Sequence, residues 1–381
     1  MRKGWEYKKL GEVCALTMGQ SPDGNSINEV NGIEFHQGKT CFGERFLGIS
    51  PLYSNAPTKL AEAHSVLLCV RAPVGYPNIT DRKICIGRGL CALYAKREID
   101  NSFLYYSLLG KQSYFEKNAT GSTFKAISSK IVSNTTLSIP PLSTQLAIVS
   151  ELDKINELIR LKKEQLKDFD NLAQSLFYEM FGDPVENEKG WEVKKLGEIC
   201  TDITDGDHMP PPKSESGIPF ITISDIDKDT RCLNFENTFY VPEDYYNNLK
   251  ENRKPQKGDL LYTVTGSYGI PVIVKTDKKF CFQRHIALLR PNKEILSTIF
   301  LCYWVLSDGV KFMADKVATG IAQKTVGLNS IRKFSCILPP LPLQQLFAQR
   351  IEQIEREKSE VQKSIQDLET LLASRMQYWF E

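Results

Sequence analysis

The sequence predicts an α+β protein in which two pseudo-symmetric globular domains are joined by two long antiparallel coiled-coil helices. Three observations lead to this fold class: an internal repeat, short β-branched runs broken by Gly, Pro and Asn, and two stretches with heptad periodicity. Among the 381 residues, 41 % are hydrophobic and 25 % are charged, which is the composition of an ordered globular chain.

The repeat divides the chain into two similar copies. Residues 4–14 (GWEYKKLGEVC) return as residues 190–200 (GWEVKKLGEIC), with nine of eleven positions identical. Residues 139–142 (IPPL) return as residues 338–341 (LPPL). The interval between the copies grows from 186 to 199 residues, so the second copy is longer and its insertions lie in its interior.

Each copy begins with a predicted globular domain, residues 1–139 and residues 190–338. Runs such as residues 218–223 (IPFITI) are rich in β-branched and aromatic residues, and turn-forming residues interrupt them, as in short strands. Helical stretches are predicted at residues 101–110 and 297–307. These features predict compact α+β domains.

The remaining segments, residues 140–189 and 339–381, each predict a long spacer helix with apolar a and d positions. These positions are Leu152, Ile155, Ile159, Leu166, Phe169, Ala173, Leu176 and Met180 in the central helix, and Ile351, Ile354, Val361, Ile365, Leu368, Leu372 and Trp379 in the C-terminal helix. Lys162, Lys358 and Arg375 interrupt the pattern. Neither helix can bury its stripe alone, so we expect the two to pack on each other, antiparallel. The alternative is that each helix pairs with another protein.

The net charge of +2 is unevenly distributed along the chain. The two predicted domains carry net charges of +6 and +2, and the helical segments that follow them carry −4 and −2. Basic domains permit phosphate contact, while the acidic helices remain available for protein partners.

Cysteine and histidine placement argues against a metal site. The ten cysteines and four histidines show no metal-ligand spacing, and Cys69 and Cys281 stand in apolar runs where a thiol acts as a small buried hydrophobe. Scattered thiols favour a reducing cytoplasm. The start of the chain lacks a signal-peptide pattern, and no run of about 18 apolar residues predicts a membrane span.

Several phrases of the sequence resemble the specificity subunit of type I restriction-modification enzymes. They are the two GWExKKLGE starts, ATGSTFKAIS at residues 119–128, PPLxxQ at residues 140–145 and 339–344, VRAPVG at residues 70–75, TDGDH at residues 204–208 and RHIALL at residues 284–289. They occur in the family's order along the whole chain.

The resemblance implies that the two domains are target-recognition domains, each of which reads one half of a bipartite double-stranded DNA site. The helices then separate the domains and dock two modification (methyltransferase) subunits, and restriction subunits can join the assembly. No cofactor is expected in this chain, whereas the partner subunits are expected to use S-adenosylmethionine, and ATP with Mg. The alternative function is a non-catalytic coiled-coil interaction scaffold that reads no DNA.

A helical spacer converts its length into a distance between half-sites. About 29 residues at ~1.5 Å each give ~43 Å, which at ~3.4 Å per base pair predicts a short unread gap of about one helical turn or slightly more.

The sequence predicts no catalytic residue. A nucleotide-binding P-loop and a methyltransferase motif are absent. The acid-x-Lys triplets at residues 6–8 and 192–194 resemble those of metal-dependent nucleases but lack a suitable Pro-Asp before them.

Candidate DNA contacts are polar and basic residues in Gly- and Pro-rich loops or at strand ends, since such side chains bind base edges and phosphates. In the first domain they are Gln20, Ser21, His36, Gln37, Lys39, Arg71, Arg88 and Lys125, and in the second Asp207, His208, Lys213, Thr265, Ser267, Tyr268, Arg284 and Lys324. Arg71 aligns with Thr265, which predicts that the domains read different half-sites.

Overall fold

The computed structural model describes residues 4–121, 125–206, 211–320 and 323–380. The chain forms two compact units. The first unit comprises Met1–Lys163 and Lys363–Glu381, and the second comprises Glu164–Gln362. The boundaries predicted above follow the repeat along the chain, whereas these units follow packing, so each unit combines one globular domain with part of each long helix.

The first unit is built on two sheets. Its elements in chain order are β1 (Glu6–Lys9), α1 (Leu10–Val13), β2 (Cys14–Met18), β3 (Ile27–Asn28), β4 (Ile33–His36), β5 (Tyr53–Ser54), β6 (Leu60–Ala61), β7 (Val66–Cys69), β8 (Pro77–Ile79), β9 (Ile84–Ile86), β10 (Leu90–Ala95), α2 (Asn101–Leu109), α3 (Gln112–Asn118), α4 (Ser129–Asn134), β11 (Thr136–Ile139) and the start of α5 (Leu142–Phe181). One sheet is antiparallel in the order β2-β10-β7-β8, and the other has the order β3-β5-β4-β9-β6 with β4 and β9 parallel. A further antiparallel pair joins β1 to β11.

The second unit repeats this plan. Its elements are β12 (Glu192–Lys195), α6 (Leu196–Ile199), β13 (Cys200–Asp205), β14 (Ile218–Ile221), β15 (Ile226–Asp227), β16 (Cys232–Leu233), β17 (Phe239–Val241), α7 (Glu243–Asn247), β18 (Leu260–Thr263), β19 (Pro271–Ile273), β20 (Cys281–Phe282), β21 (Ile286–Pro291), α8 (Thr298–Leu306), α9 (Asp308–Val317), α10 (Leu328–Arg332), β22 (Ser335–Leu338) and the start of α11 (Leu341–Phe380). The antiparallel sheet β13-β21-β18-β19, the parallel pair β14 and β20, and the pair β12 and β22 have counterparts in the first unit. The structure therefore confirms the repeated α+β domains.

The predicted helices at residues 101–110 and 297–307 are confirmed as α2 and α8. Asp100 caps the first by accepting hydrogen bonds from two backbone amides, and the Ser297 side chain caps the second. Both helices are apolar on most sides and bury six consecutive residues. They therefore lie inside the unit cores rather than at their surfaces.

The glutamine of each PPLxxQ phrase ties a long helix to its domain. Gln145 is fully buried, accepts from Asp100 N at 2.8 Å and donates to Glu98 O and Pro140 O at 2.9 Å. Gln344 makes the equivalent three bonds in the second unit. The motif thus satisfies buried backbone groups where each long helix begins.

The long helices α5 and α11 pack antiparallel within each unit. In the first unit, Glu151 pairs with Arg375 and Lys163 pairs with Glu369, at 3.1 Å for the latter. In the second unit, Lys358 Nζ lies 2.8 Å from Asp170 Oδ1. The two residues that interrupt the α11 heptads, Lys358 and Arg375, therefore form ion pairs with α5.

Aromatic packing extends the buried stripe beyond the predicted a and d positions. Leu152, Ile155 and Ile159 are buried as expected. Phe177 and Phe181, absent from the predicted stripe, are fully buried in the second unit against the α8 residue Phe300.

Candidate nucleic-acid interface

In the first unit, several predicted contact residues lie around the turn at residues 87–89, between β9 and β10. The first amide of the turn donates to His36 O at 2.8 Å, and the last donates to Gln37 O at 3.1 Å. Ser21 Oγ donates to Gln37 Oε1 at 2.8 Å. Arg88, in the middle of the turn, is exposed beside this polar pair.

Arg71 and Lys125 lie beside the same turn. Val70 N donates to Gly89 O at 2.9 Å, and Ala72 N donates to Lys125 O at 3.0 Å. Arg71 lies between these two bonded residues, and its side chain and that of Lys125 are exposed. One cation therefore lies in this turn and two lie beside it. We call residues 20–21, 37–39, 71, 87–89 and 125 the first loop cluster.

The second unit repeats the arrangement around the turn at residues 283–285, between β20 and β21. The first amide of this turn donates to Ile221 O at 3.0 Å, and its last carbonyl accepts from Val264 N at 2.9 Å. Gly266 N donates to Lys324 O at 2.9 Å. We call residues 222–224, 265–267, 283–285 and 323–324 the second loop cluster.

These backbone bonds establish which positions of the two clusters are equivalent. Arg88 corresponds to Arg284, Lys125 to Lys324, Arg71 to Thr265, Gln37 to Thr222 and Gly87 to Gln283. An exposed arginine and an exposed lysine therefore recur in both units, whereas the other positions differ.

Glycine is required at residues 19 and 206 because the backbone there closely approaches the backbone at the start of each turn. A Cβ atom at Gly19 would overlap Gly87 O, and one at Gly206 would overlap Phe282 O. Any side chain at either position would push the turn away from its neighbouring strand.

The second loop cluster borders an open concavity of about 450 Å³. Its lining consists of Thr222, Ile223, Ser224, Thr265, Gly266, Ser267, Gln283, His285 and Gln323. Within the described ranges, the side chains of Gln283, His285 and Gln323 have no hydrogen-bond partner. Burial and the neighbouring Arg284 charge lower the pKa of His285, so its imidazole is neutral at pH 7. The concavity thus offers neutral donors and acceptors next to exposed cations.

Sequence reasoning did not nominate Gln283, His285 or Gln323. Gln283 and His285 flank the nominated Arg284, so adjacency to that arginine was the available signal. Gln323 is nearly 40 residues away along the chain, and only the pairing of Gly266 with Lys324 brings it to the concavity.

Most of the predicted contacts are exposed within the two clusters. These are Gln20, Gln37, Lys39, Arg71, Arg88 and Lys125 in the first cluster, and Ser267, Arg284 and Lys324 in the second. Ser21 is half-buried and positions Gln37.

Three predicted contacts of the second unit have side-chain hydrogen-bond partners within the protein. Ser267 Oγ accepts from Lys228 Nζ at 3.1 Å. Thr265 is 6 % exposed, and its hydroxyl accepts from Thr325 Oγ1 at 3.3 Å. The hydroxyl of Tyr268 donates to Asp315 on α9. These side chains hold the loop at residues 265–268 in place.

Lys213 stands apart from the second loop cluster. Lys213 Nζ lies 5.2 Å from the centre of the Phe239 ring, at the β17 edge of its sheet. Asp207 and His208 lie outside the described residues.

His36 was predicted as a DNA contact, and its burial requires a correction. The side chain is 2 % exposed, and Nε2 donates to Glu34 Oε1 at 2.8 Å. Glu34 also accepts from Arg82 Nε at 2.6 Å. Burial lowers the pKa of His36, so the ring is a neutral core residue that presents no surface to a ligand.

The Glu34 cluster makes the stability of the first unit depend on pH. Burial favours the neutral acid, but bonds from Arg82, Ser50 N and His36 outweigh it and lower the pKa of Glu34 to about 2. Because this pKa is depressed, its stabilisation is complete above the unfolded-state pKa of ~4.3 and is lost as pH falls towards 2. Urea unfolding measured between pH 5 and pH 2 should therefore show a steep loss of stability that Glu34→Gln makes shallower.

The control for this measurement is Glu29→Gln at an exposed carboxylate of the same unit. It should leave the pH dependence unchanged. Equal slopes for the wild type and Glu34→Gln would contradict the assignment.

Among the described residues, no group of three or more His, Cys, Asp or Glu side chains could hold a metal ion. No helix in that part of the chain is long and apolar enough to cross a membrane.

Comparison with known proteins identifies the family. The model of the type I restriction modification DNA specificity domain matches residues 2–168 and again residues 188–370. A provisionally named MjaX specificity subunit of Methanocaldococcus jannaschii is 36 % identical over 176 residues, which cover 45 % of this chain and 41 % of that protein. The MjaIX specificity subunit of the same organism is 23 % identical, with 91 % of this chain and 85 % of the relative covered.

A solved structure shares the fold over its full length. It comes from work on complex assembly and conformational transition of the type I R-M system, and it covers 100 % of this chain and 98 % of the matched chain. The TM-score is 0.68 at 21 % identity.

Two similar domains, each with a cluster of exposed cations, and two long helices define a two-domain recognition subunit. The chain belongs to the type I restriction-modification DNA specificity family, since that family's model matches both copies of the repeat.

Proposed function

We propose that the chain reads a bipartite double-stranded DNA site, with each unit contacting one half. The observation that carries this proposal is the recurrence of an exposed arginine and lysine at equivalent positions of two loop clusters, Arg88 with Lys125 and Arg284 with Lys324. Arginine and lysine side chains on loops bind phosphates, while neighbouring polar side chains distinguish base edges.

The long helices support a second part of the proposal, the docking of two methyltransferase subunits. Leucines on α5 and α11 remain between 43 % and 53 % exposed: Leu142, Leu146, Leu158, Leu161, Leu172, Leu346 and Leu371. Apolar side chains repeated along a helix surface favour a protein partner over water. Restriction subunits would join the same assembly.

We infer that this chain contributes recognition and no chemistry. The partner subunits would supply S-adenosylmethionine for base modification, and ATP with Mg in a restriction subunit. A cytoplasmic location agrees with many buried thiols, among them Cys69 and Cys281.

A gel-shift experiment with the chain and its methyltransferase subunit tests the proposal. The assembled enzyme should bind one split DNA site tightly at about 50 mM salt and far more weakly at about 200 mM, since phosphate contacts release counterions. DNA of unrelated sequence serves as the control and should bind weakly at both concentrations. Absent or salt-independent binding would contradict DNA reading and favour an interaction scaffold.

A further inference from the structure

Both loop clusters contain a glutamine next to a parallel strand pair, but the two glutamines follow different strands of the pair. The parallel pairs place Gln37 beside Gly87 in the first unit and Thr222 beside Gln283 in the second. Each unit therefore has one glutamine at this point, but a different strand supplies it. This exchange changes which atoms of the amide are available.

In the first cluster, the Gln37 carbonyl is already engaged. Its Oε1 accepts from Ser21 Oγ at 2.8 Å, and it packs so closely over residue 87 that a Cβ atom there would lie 2.5 Å away. The Nε2 donor of Gln37 and the Arg71 guanidinium have no hydrogen-bond partner among the described residues. At the positions of Gln37 and Arg71, the first cluster accordingly presents donors.

In the second cluster, the whole Gln283 amide is available. Thr222 stands where the first unit has Gln37, and its hydroxyl donates to Asp225 Oδ2 at 2.6 Å. Gln283 lines the concavity with both its carbonyl and its amide nitrogen unpaired within the described residues, and Thr265 replaces Arg71 at the equivalent position. At the equivalent positions, the second cluster accordingly presents the donor and the acceptor of the Gln283 amide.

These two sets of groups match different base pairs. Guanine presents two acceptors, N7 and O6, in the major groove, whereas adenine presents one acceptor, N7, and one donor, the N6 amine. Arginine binds the guanine pair of acceptors, and a glutamine amide binds the adenine pair. Residues present in both units, such as Arg88 and Arg284, cannot distinguish the half-sites, so positions that differ must do so.

We propose that Arg71 specifies a G·C base pair in one half-site and that Gln283 specifies an A·T base pair in the other. The proposal rests on the DNA-reading function and deepens it by naming the residue of each unit that selects a base. The DNA phosphate backbone of the two half-sites is then bound by Arg88 and Lys125 in one unit and by Arg284 and Lys324 in the other.

Motif determination by methylome sequencing tests this assignment, with cells that express the complete enzyme. Arg71→Ala should relax one G·C position of one half-site, and Gln283→Ala should relax one A·T position of the other half-site. Loss of a bidentate contact should reduce discrimination at that position roughly tenfold to hundredfold. Arg97→Ala and Gln256→Ala remove exposed residues of the same types elsewhere in each unit and should leave the motif unchanged.

The outcomes separate this proposal from the general one. If the wild-type enzyme modifies no split motif, DNA reading itself fails. If the wild type has a motif but a variant retains every position or relaxes the wrong type of base pair, the assignment of the replaced residue is wrong. If both variants change the same half-site, the assignment of the two residues to different half-sites is wrong. Where an alanine variant modifies no DNA, Arg71→Lys and Gln283→Asn serve as milder replacements. Competition gel shifts with sites substituted one base pair at a time then measure the discrimination at each position.

Discussion

Replacement of both Arg88 and Arg284 by alanine is expected to weaken DNA binding by the assembled enzyme on the order of 50-fold at about 0.1 M salt. Each arginine is exposed at the centre of a turn and recurs in both units, so we assign both to phosphate contact. Each phosphate contact contributes about 0.9 to the slope of log affinity against log salt, so the double variant should lower that slope by about two. Gel shifts across a salt series measure both quantities.

The matched control is the double variant Arg97→Ala with Lys293→Ala. These residues follow β10 and β21 at equivalent positions, are exposed, and lie outside the loop clusters. The same charge is removed, so an equal loss of affinity in the control would show that net charge, rather than the two turns, governs binding. A split motif that changed in the Arg88 and Arg284 variant would instead assign these residues to base edges.

Phe177→Ala should cost the second unit about 3 to 5 kcal/mol of stability. Phe177 is fully buried, and its ring centre lies 5.2 Å from that of Phe181, 5.7 Å from that of Phe300 and 5.8 Å from that of Phe347. These aromatic partners belong to α5, α8 and α11, so truncation leaves a cavity where both long helices meet the domain core. Thermal unfolding of the full chain should show a Tm lower by roughly 6–20 °C.

Leu172→Ala provides the comparison on the same helix. Leu172 is 53 % exposed, so its truncation should change stability by less than about 0.5 kcal/mol. Similar losses for the two variants would mean that the cluster around Phe177 does not hold the helices and the domain together.

The loop clusters show where local sequence signals succeed and fail. Basic residues in loops or at strand ends near glycine can be recognised in the sequence, and this pattern correctly predicted exposed side chains at Arg88, Arg284, Lys125 and Lys324. His36 lies in the same kind of sequence context, at the end of a strand before a glycine. Its ring is nevertheless buried in the core, where it bonds to Glu34 of the same strand. Burial depends on what packs against a residue from elsewhere in the chain, so the loop sequence could not reveal it.

The ion pairs of the long helices show a similar limit. Lys358 and Arg375 interrupt the heptads of α11 in the sequence, and they pair with Asp170 and Glu151 in the structure. Their partners are 188 and 224 residues away, so no local periodicity identifies them.

The sequence by itself determined the repeat, the fold class, both long helices and the family, because each leaves a pattern that local periodicity or identity between copies makes visible. The tertiary structure alone decided which polar residues are exposed, that Gln145 and Gln344 satisfy buried backbone groups, and that the two clusters present different hydrogen-bonding atoms. The reason is physical: burial and hydrogen-bond pairing join residues that are distant along the chain, and only packing brings their atoms within a few ångströms.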